Sequence, residues 1–533
     1  MENKKYEFWT DKIARDIETR SKFYYTDKKM PEFKKFVVKT SASLSGVLHI
    51  GRLSDTIRGD AVFRSLKDSG VKAELIWVGE DMDPLRKVPE GVPKSYVEHI
   101  GKPVTDIPDP DGCHKSYAEH HMEEYFKVLD NFVSTKMKKF SMREEYKKGN
   151  FTKYVKILLK NIEELKEIQN KYRREELAEN WSPWTPICDN CGKIITPRVT
   201  GFEKGKVSYI CQDYAFEKYV AKGCGYEGVN DPLKANGKLM WKSEWAAQWV
   251  RWKVCSEGAG KEYQVPGSAF WVNGEIVEKI FKFPMPVPIF YEYLTVDGKK
   301  MSASIGNVVY PNDWLQVAPP QLLRLIFLKD PMRERDFTWM STENLMDEID
   351  ELEKIYYGIK KVDNKRDEIT MKRLFEMIQL GKMPLKYKAK ISYSLFIEIA
   401  KILPEKNQEK FVMQKLKEYG HLKESTKELV RERLEYAKNL LKRIGGKPKS
   451  HVELADEEKM LIRNLISMIE KESNAENIQM KTFEIIKASG MKVSDGFKLI
   501  YRILLNSERG PRLGAYITEV GKEEIINKLK EVL

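Results

Sequence analysis

The sequence predicts an α/β nucleotide-binding fold, split by a Cys- and His-rich insertion and followed by an all-helical region. Three observations carry this. A β-rich run at Phe36, Val37 and Val38 enters a small-residue loop from Thr40 to Arg52, and a helical pattern with Leu53, Ile57, Ala61, Val62 and Leu66 on one side leaves it. Between Pro84 and about Ala235 the strand and helix rhythm is lost, and cysteines and histidines gather there. From Thr342 onward the apolar spacing is helical almost throughout.

At 533 residues the chain exceeds what one core supports, so several domains are expected. The boundaries read as 1–83 for an N-terminal arm and the first half of the nucleotide fold, 84–237 for the insertion, 238–340 for the second half, and 341–533 for the helical region. A net charge of +13 on an ordinary globular composition favours a polyanionic partner, nucleic acid before membrane. No apolar run reaches the length of about 18 that a membrane span needs, and the amino terminus, which carries acidic residues and lacks an apolar core segment, does not resemble a signal peptide. The expectation is a soluble, cytoplasmic protein. Six cysteines, four of them clustered, argue for reduced thiols and against a disulfide framework.

Taken in order, residues 1 to 34 read as a charged helical arm anchored by Trp9 and Ile13, packed on the first sheet. The loop that follows, Thr40-Ser41-Ala42-Ser43-Leu44-Ser45-Gly46-Val47-Leu48-His49-Ile50-Gly51-Arg52, opens a helix at the end of a strand. Unpaired amides there can bind phosphate, with Gly51 allowing close approach and His49 offering a donor; an ordinary Ser/Gly turn is the competing reading. A second strand, Ala73 to Val78, ends on Glu80, Asp81 and Asp83, and carboxylates at such ends point into a ligand crevice.

In the insertion, Asp109, Cys113, His114 and His120 suit a four-coordinate zinc, although the two histidines could instead cap or line a helix. Cys188, Cys191, Cys211 and Cys224, with Gly turns and the strand-like run Val207 to Ile210 between them, read as a zinc ribbon, while the isolated Cys255 reads as structural. Trp241, Trp245, Trp249 and Trp252 lie on one helical face. That face serves as core or as the wall of a pocket for an aliphatic stem, with Glu244 meeting a cationic tip. An apolar strand within 284–296 leads to a basic, hydroxyl-rich loop, Lys299-Lys300-Met301-Ser302-Ala303-Ser304-Ile305-Gly306-Asn307, and Leu322 to Leu328 reads as a buried helix. Leu345, Ile349, Leu352, Ile355 and Ile359 form a helical stripe; Ser425 and Glu428 form a capping box, and Gly445-Gly446 ends the helix it starts.

Leu48-His49-Ile50-Gly51 and the Lys300 loop, in that order, resemble the H-I-G-H and K-M-S-K-S signatures of class I aminoacyl-tRNA synthetases. More of the chain resembles the class I lysyl-tRNA synthetases in particular. The residues are Ser45-Gly46-x-x-His49-Ile50-Gly51, Arg86-Lys87-Val88-Pro89, the Asp109 to His120 segment, the ladder Trp241, Trp245, Trp249, and Glu508-Arg509-Gly510-Pro511-Arg512-Leu513.

The resemblance implies a Rossmann-type catalytic domain with a zinc-containing insertion, followed by an all-α anticodon-binding domain. The implied activity is formation of lysyl-adenylate from lysine and ATP with Mg²⁺, then transfer to tRNA(Lys), with one or two structural zinc ions and neither DNA nor membrane as partner. His49 and Lys300 would be catalytic. ATP would meet Ser43, Gly46, His49, Ile50, Gly51, Arg52, Lys299, Lys300, Met301, Ser302 and Ser304. Lysine would meet Thr40, Ser41, Glu80, Asp81, Asp83, Trp241, Glu244 and Trp245, with Asp81 or Glu244 favoured for its ammonium. Departures from the family pattern are Arg52, Ala303, Ile305 and the segment Gly260-Lys261-Glu262-Tyr263. They keep two alternatives in play: an impaired tRNA-binding paralogue, and a class I synthetase for another amino acid such as glutamate. The acidic strand end argues against an anionic substrate.

Overall fold

The computed structural model describes residues 7–44, 48–88, 92–301, 307–387, 390–403, 405–418, 426–445, 454–505 and 507–533. Five strands form the central sheet: β1 (Phe36–Ser43), β2 (Ala73–Glu80), β3 (Lys138–Ser141), β4 (Val254–Gly260) and β5 (Val287–Tyr291). Their order is β3-β2-β1-β4-β5 and every pairing is parallel. Parallel strands need crossovers and are covered on both faces, which explains the near-continuous burial of Val37, Val38, Leu75 to Val78 and Val254. Helix α2 (Ile50–Asp68) is the first crossover and packs on β1, β2 and β4. The chain reverses its progression across the sheet between β1 and β4, so the crevice lies at the carboxyl ends of these strands.

The segment expected to be an insertion is more deeply embedded than its sequence suggests. It supplies β3, in register with β2 from Ile76↔Lys138 to Gly79↔Ser141. With one apolar residue among its four, β3 gives no strand signal, and an edge strand needs none because only one of its sides is covered. Tyr146, Phe151, Leu158, Leu165 and Trp184 of the same segment share one core with Trp245, Trp249, Phe270 and the sheet residues Val37 and Val78.

Helix α1 (Trp9–Thr19) packs on α2, as the arm reading anticipated, but the residues it buries are Thr10, Ala14 and Ile17. Trp9 is half-buried and its indole donates to the Leu328 carbonyl at 2.8 Å. The apolar run in 284–296 is two strands: β5 ends at Tyr291, and Leu294–Val296 starts a separate three-stranded sheet with Lys299–Lys300 and Arg335–Phe337. Pro320–Leu328 is the buried helix expected there. The stripe from Leu345 ends early, since its helix stops at Tyr356 and Ile359 is 62% exposed. Ser425 and Gly446 lie outside the described residues.

Two compact units result. One comprises Met1–Leu315, Pro319–Phe337 and Glu351–Leu385; the other comprises Gln316–Ala318, Thr338–Asp350 and Lys386–Leu533. The second is helical and has its own core around Leu461, Ile462, Ile478, Ile486, Ile500 and Leu513. Among the described residues no helix is long and apolar enough to cross a membrane.

Candidate active site

The first signature sits where β1 hands over to α2. His49 is the N-cap of α2, and its Nδ1 accepts the Gly51 N–H at 3.1 Å. With Nδ1 so occupied, the neutral ring carries its proton on Nε2. Burial, reinforced by the Arg52 and Lys300 cations, pushes the His49 imidazole down to about 4, so at neutral pH it is an uncharged donor. Ile50 donates its N–H to the Val309 carbonyl at 2.9 Å, tying the start of α2 to the chain that returns from the second signature.

That second signature follows the turn at Asp297 and Gly298, both at positive φ, which matches a tight two-residue hairpin. It pairs Lys299 with Val296 and Lys300 with Thr295. The two signatures meet. A Cβ at Gly51 would lie 2.8 Å from the Met301 methyl and 2.8 Å from the His49 ring, so a larger residue there would displace one of the two signature side chains. Lys300 Nζ lies 4.8 Å from the centre of the Tyr293 ring and acts electrostatically on His49. Arg52 is exposed at the same helix entrance. Gly46, Ser302 and Ser304 lie outside the described residues.

Beside this junction lies a nest of acids around one lysine. Lys238 Nζ is 3.3 Å from Asp83 Oδ1 and 3.3 Å from Glu244 Oε2. Tyr146 OH donates to Glu244 Oε1 at 2.7 Å, and Ser43 Oγ donates to Asp83 Oδ2 at 2.6 Å. Gln248 Nε2 donates to both Glu80 oxygens, at 3.0 and 3.2 Å. Burial lowers the Lys238 ammonium, but Glu244, Asp83 and Glu80 outweigh it and hold it above the ordinary lysine range. Asp83 stays below the ordinary carboxylate range, because Lys238 and the Ser43 hydroxyl overcome its burial. Glu80, with only a neutral amide as partner, is pushed by burial up to about 8 against the pull of Lys39.

Stacked indoles wall this nest. Trp241 and Trp245, on α3 (Trp241–Trp252), have ring centres 4.8 Å apart and nearly parallel, and Tyr263 meets Trp245 edge-on at 5.2 Å. Trp249 completes the ladder and donates its indole N–H to Glu257 Oε2 at 2.6 Å. Glu257 in turn forms a fully buried ion pair with Lys39, its register partner on β1, at 2.5 Å.

Two residues expected on the lysine side are engaged elsewhere. Thr40 is fully buried, its hydroxyl donating to the Ile76 carbonyl at 3.1 Å and its methyl filling the space beside Gly59. Asp81 is fully buried too; its Oδ1 accepts the Arg143 N–H at 2.9 Å, which pins β2 to the start of helix Met142–Lys147. Ser41 contributes backbone, its N–H donating to Asp55 Oδ2 at 3.0 Å. Burial pushes Asp55 up to about 7, and its other oxygen would lie 1.7 Å from a Cβ at Gly258, so β4 needs glycine where it passes α2.

The family profile described as tRNA synthetases class I (K) matches residues 7–380. The chain belongs to this family. Among its relatives, proteins named "Lysine--tRNA ligase" from Methanosphaera stadtmanae and Cenarchaeum symbiosum are each 30% identical to it, over 98% of this chain and 99% and 98% of their own lengths. The one from Methanocaldococcus jannaschii is 30% identical over 93% of this chain and 96% of its own.

In this class I (K) synthetase both clusters singled out as metal sites assemble. The thiols of Cys188, Cys191, Cys211 and Cys224 all lie within 4.8 Å of one another, with Cys188 to Cys224 and Cys191 to Cys211 both at 3.6 Å. Four thiolates at about 2.3 Å from a tetrahedral zinc stand about 3.8 Å apart, so the set fits that ion. The three-stranded antiparallel sheet of Pro197–Glu203, Lys206–Cys211 and Glu227–Asn230 supplies Cys211 and frames the site. Asp109, Cys113, His114 and His120 also converge within 4.8 Å. His120 comes from the first turn of helix Tyr117–Leu129, whose N-cap Ser116 accepts the Glu119 N–H at 3.1 Å. Asp109 Oδ2 accepts the N–H groups of Cys113 and His114, both at 2.9 Å, which shapes the loop that presents them.

Sequence reasoning missed Lys238, Tyr146, Gln248, Asp55 and the Lys39–Glu257 pair. A lysine just ahead of the Trp helix was a usable signal for Lys238. Tyr146 gave none, since it reaches Glu244 from 98 residues away.

Proposed function

We propose that this synthetase activates lysine with ATP and Mg²⁺ and transfers the lysyl group to tRNA(Lys). The observation that carries the reading is the nest of buried Glu80 and Glu244 with half-buried Asp83 at the carboxyl end of the sheet, walled by Trp241 and Trp245 and adjoining the His49–Lys300 junction. Asp83 and Glu244 face the single ammonium of Lys238, and Glu80, which holds a proton in the free site, can release it as a cation enters, so the nest takes a cationic side chain. The stacked indoles suit the aliphatic stem that carries such a charge. The names of the relatives agree with this choice of amino acid.

In the first step the lysine carboxylate attacks the α-phosphate in line, and pyrophosphate leaves. His49 Nε2–H donates to a phosphoryl oxygen without adding charge, while Lys300 balances the negative charge that develops on the leaving pyrophosphate. Arg52 adds a permanent cation at the helix entrance, where the Ile50, Gly51 and Arg52 amides are already paired within the chain, so the phosphate contact falls to side chains. Lys299 and Met301 are assigned to the ATP side of the same junction, while the Ser43 hydroxyl is held by Asp83. In this reading the four cysteines would hold one structural zinc, and Asp109, Cys113, His114 and His120 offer the donor set for a second. Structural zinc supplies folding free energy to pieces too small to bury a core. The helical region from 341 binds tRNA.

Pyrophosphate exchange with each of the twenty amino acids tests the reading. Exchange that depends on lysine alone is expected; exchange with glutamate instead, or none at any lysine concentration, would overturn it.

A further inference from the structure

The segment Gly260-Lys261-Glu262-Tyr263, one of the departures from the family pattern, leaves β4 as a single short helical turn, Lys261–Tyr263. Tyr263 joins the indole wall, but its two predecessors reach past the end of β5 to Glu292 and Tyr293. Lys261 Nζ pairs with Glu292 Oε2 at 3.0 Å, and the Tyr293 OH donates to Glu262 Oε2. The main chain is tied there as well. The Glu292 N–H donates to the Pro331 carbonyl at 2.8 Å, and the Tyr293 carbonyl accepts the Arg335 N–H at 3.4 Å. Tyr293 is thus a half-buried ring held both at its hydroxyl and at its backbone.

That ring faces the second signature. Leu294–Val296 pairs antiparallel with Lys299–Lys300, and Thr295 is the register partner of Lys300. Tyr293, two residues before Thr295, is therefore the diagonal neighbour of Lys300, a separation that long and aromatic side chains bridge. Lys300 Nζ lies 4.8 Å from the ring centre. Lys261 Nζ is farther away, at 5.4 Å, and is already paired with Glu292. Lys300 is exposed, and among the described residues it meets no carboxylate, so the ring is the contact that holds its ammonium. A carboxylate in that place would cancel the charge that a leaving pyrophosphate needs, whereas an aromatic face attracts a cation and leaves its charge intact. Donation to Glu262 polarises the phenol and adds electron density to that face. Burial, followed by the Glu262 hydrogen bond, holds the Tyr293 hydroxyl above the ordinary tyrosine range, so it remains a neutral donor.

We infer that Tyr293 is a positioning residue for Lys300, its ring holding the ammonium ready for the departing pyrophosphate while Glu262 fixes the ring. The divergent segment then serves the reaction at one remove: Glu262 acts on Tyr293, and Tyr293 acts on Lys300. A long lysine side chain left free in solvent would have to be ordered during the step itself, and a cation already placed beside its target avoids that cost. Lys300 has to leave the ring to follow the charge, and a cation–π contact is weak enough to permit it.

The inference rests on the proposed role of Lys300, and the test separates the two. In the full-length chain, Tyr293→Leu should lower kcat for lysine-dependent pyrophosphate exchange about 3- to 10-fold, the scale of one cation–π contact. The KM for lysine should stay within about twofold of the parent, because Lys300 meets charge that develops only in the transition state. Tyr293→Phe keeps the aromatic face and should stay within about twofold of the parent in both constants. In a Lys300→Ala background, Tyr293→Leu should cost nothing further. An equal loss in that background, or equal losses for Leu and Phe, would overturn the positioning role. A second readout needs no activity. The acetylation rate of Lys300 relative to the other lysines of the chain, followed by mass spectrometry, should rise about threefold in Tyr293→Leu and stay unchanged in Tyr293→Phe, as expected for losing a contact of that strength. Should Lys300→Ala leave exchange unchanged while that rate still rises, the role assigned to Lys300 fails and its contact with Tyr293 stands. An unchanged acetylation rate in Tyr293→Leu overturns the contact itself.

Discussion

Lys39→Met probes the ion pair that underlies the site. Lys39 and Glu257 are register partners on adjacent strands, 0% and 1% exposed at their side chains and 2.5 Å apart, and Glu257 spends its other oxygen on the Trp249 indole. Methionine fills the space of the lysine stem but leaves a buried carboxylate with a single neutral donor. Breaking a buried pair from one side costs about 3–5 kcal/mol, much more than the pair contributes net. Urea denaturation followed by tryptophan fluorescence should show a loss of that size in the transition of the sheet-bearing unit. The double variant Lys39→Met/Glu257→Gln removes the charge and keeps an acceptor for Trp249, so it should return to within about 1–2 kcal/mol of the parent. A single-variant loss under about 1 kcal/mol, or a double variant no more stable than the single, would refute the reasoning.

Removing either signature side chain, by His49→Ala or Lys300→Ala, should lower kcat for lysine-dependent pyrophosphate exchange about 10²- to 10³-fold, the scale for losing one preorganised charge-stabilising group; a change under about fivefold in both would exclude the assigned roles. The pH dependence of stability isolates Glu80. Its carboxyl is raised from 4.5 to about 8 in the folded chain, so between those values the native state holds a proton that the unfolded state has released. Stability from this group is therefore full below about 4.5 and declines as pH rises toward 8. Glu80→Gln should show a shallower decline over that window, with the raised Asp55 keeping part of the slope, and superimposable pH profiles would contradict this. His49 runs the other way: its value falls from 6.5 to about 4, so its contribution is full above 6.5 and lost as pH drops toward 4. Metal analysis should find one or two zinc ions per chain, and Cys188→Ser should lower that content by one and leave the segment 184–230 open to protease; a zinc-free, protease-resistant parent would sink the metal assignment.

Much of the fold was legible because it rests on local pattern. The strand, loop and helix around His49 follow from an apolar run, small residues and a 3.6-residue period, and these need no knowledge of what packs against them. The four cysteines were legible because zinc ligation constrains residue type and spacing together. Strand β3 was not, because a four-residue edge strand carrying two lysines is held by its neighbour's backbone and not by its own side chains.

The sequence by itself determined which groups are available: a neutral-capable His49 at a helix entrance, a Lys300 loop, acids at a strand end, and an indole ladder. Only the tertiary structure decided how they are used. Asp81 and Asp83 are two residues apart, yet one is spent on the Arg143 amide while the other faces Lys238, which arrives from 155 residues away. Glu80 and Glu244 likewise differ in role through their partners, a neutral amide for one, a phenol and an ammonium for the other. A carboxylate's charge state and partner depend on burial and on through-space neighbours, and neither quantity is written in the order of the residues along the chain.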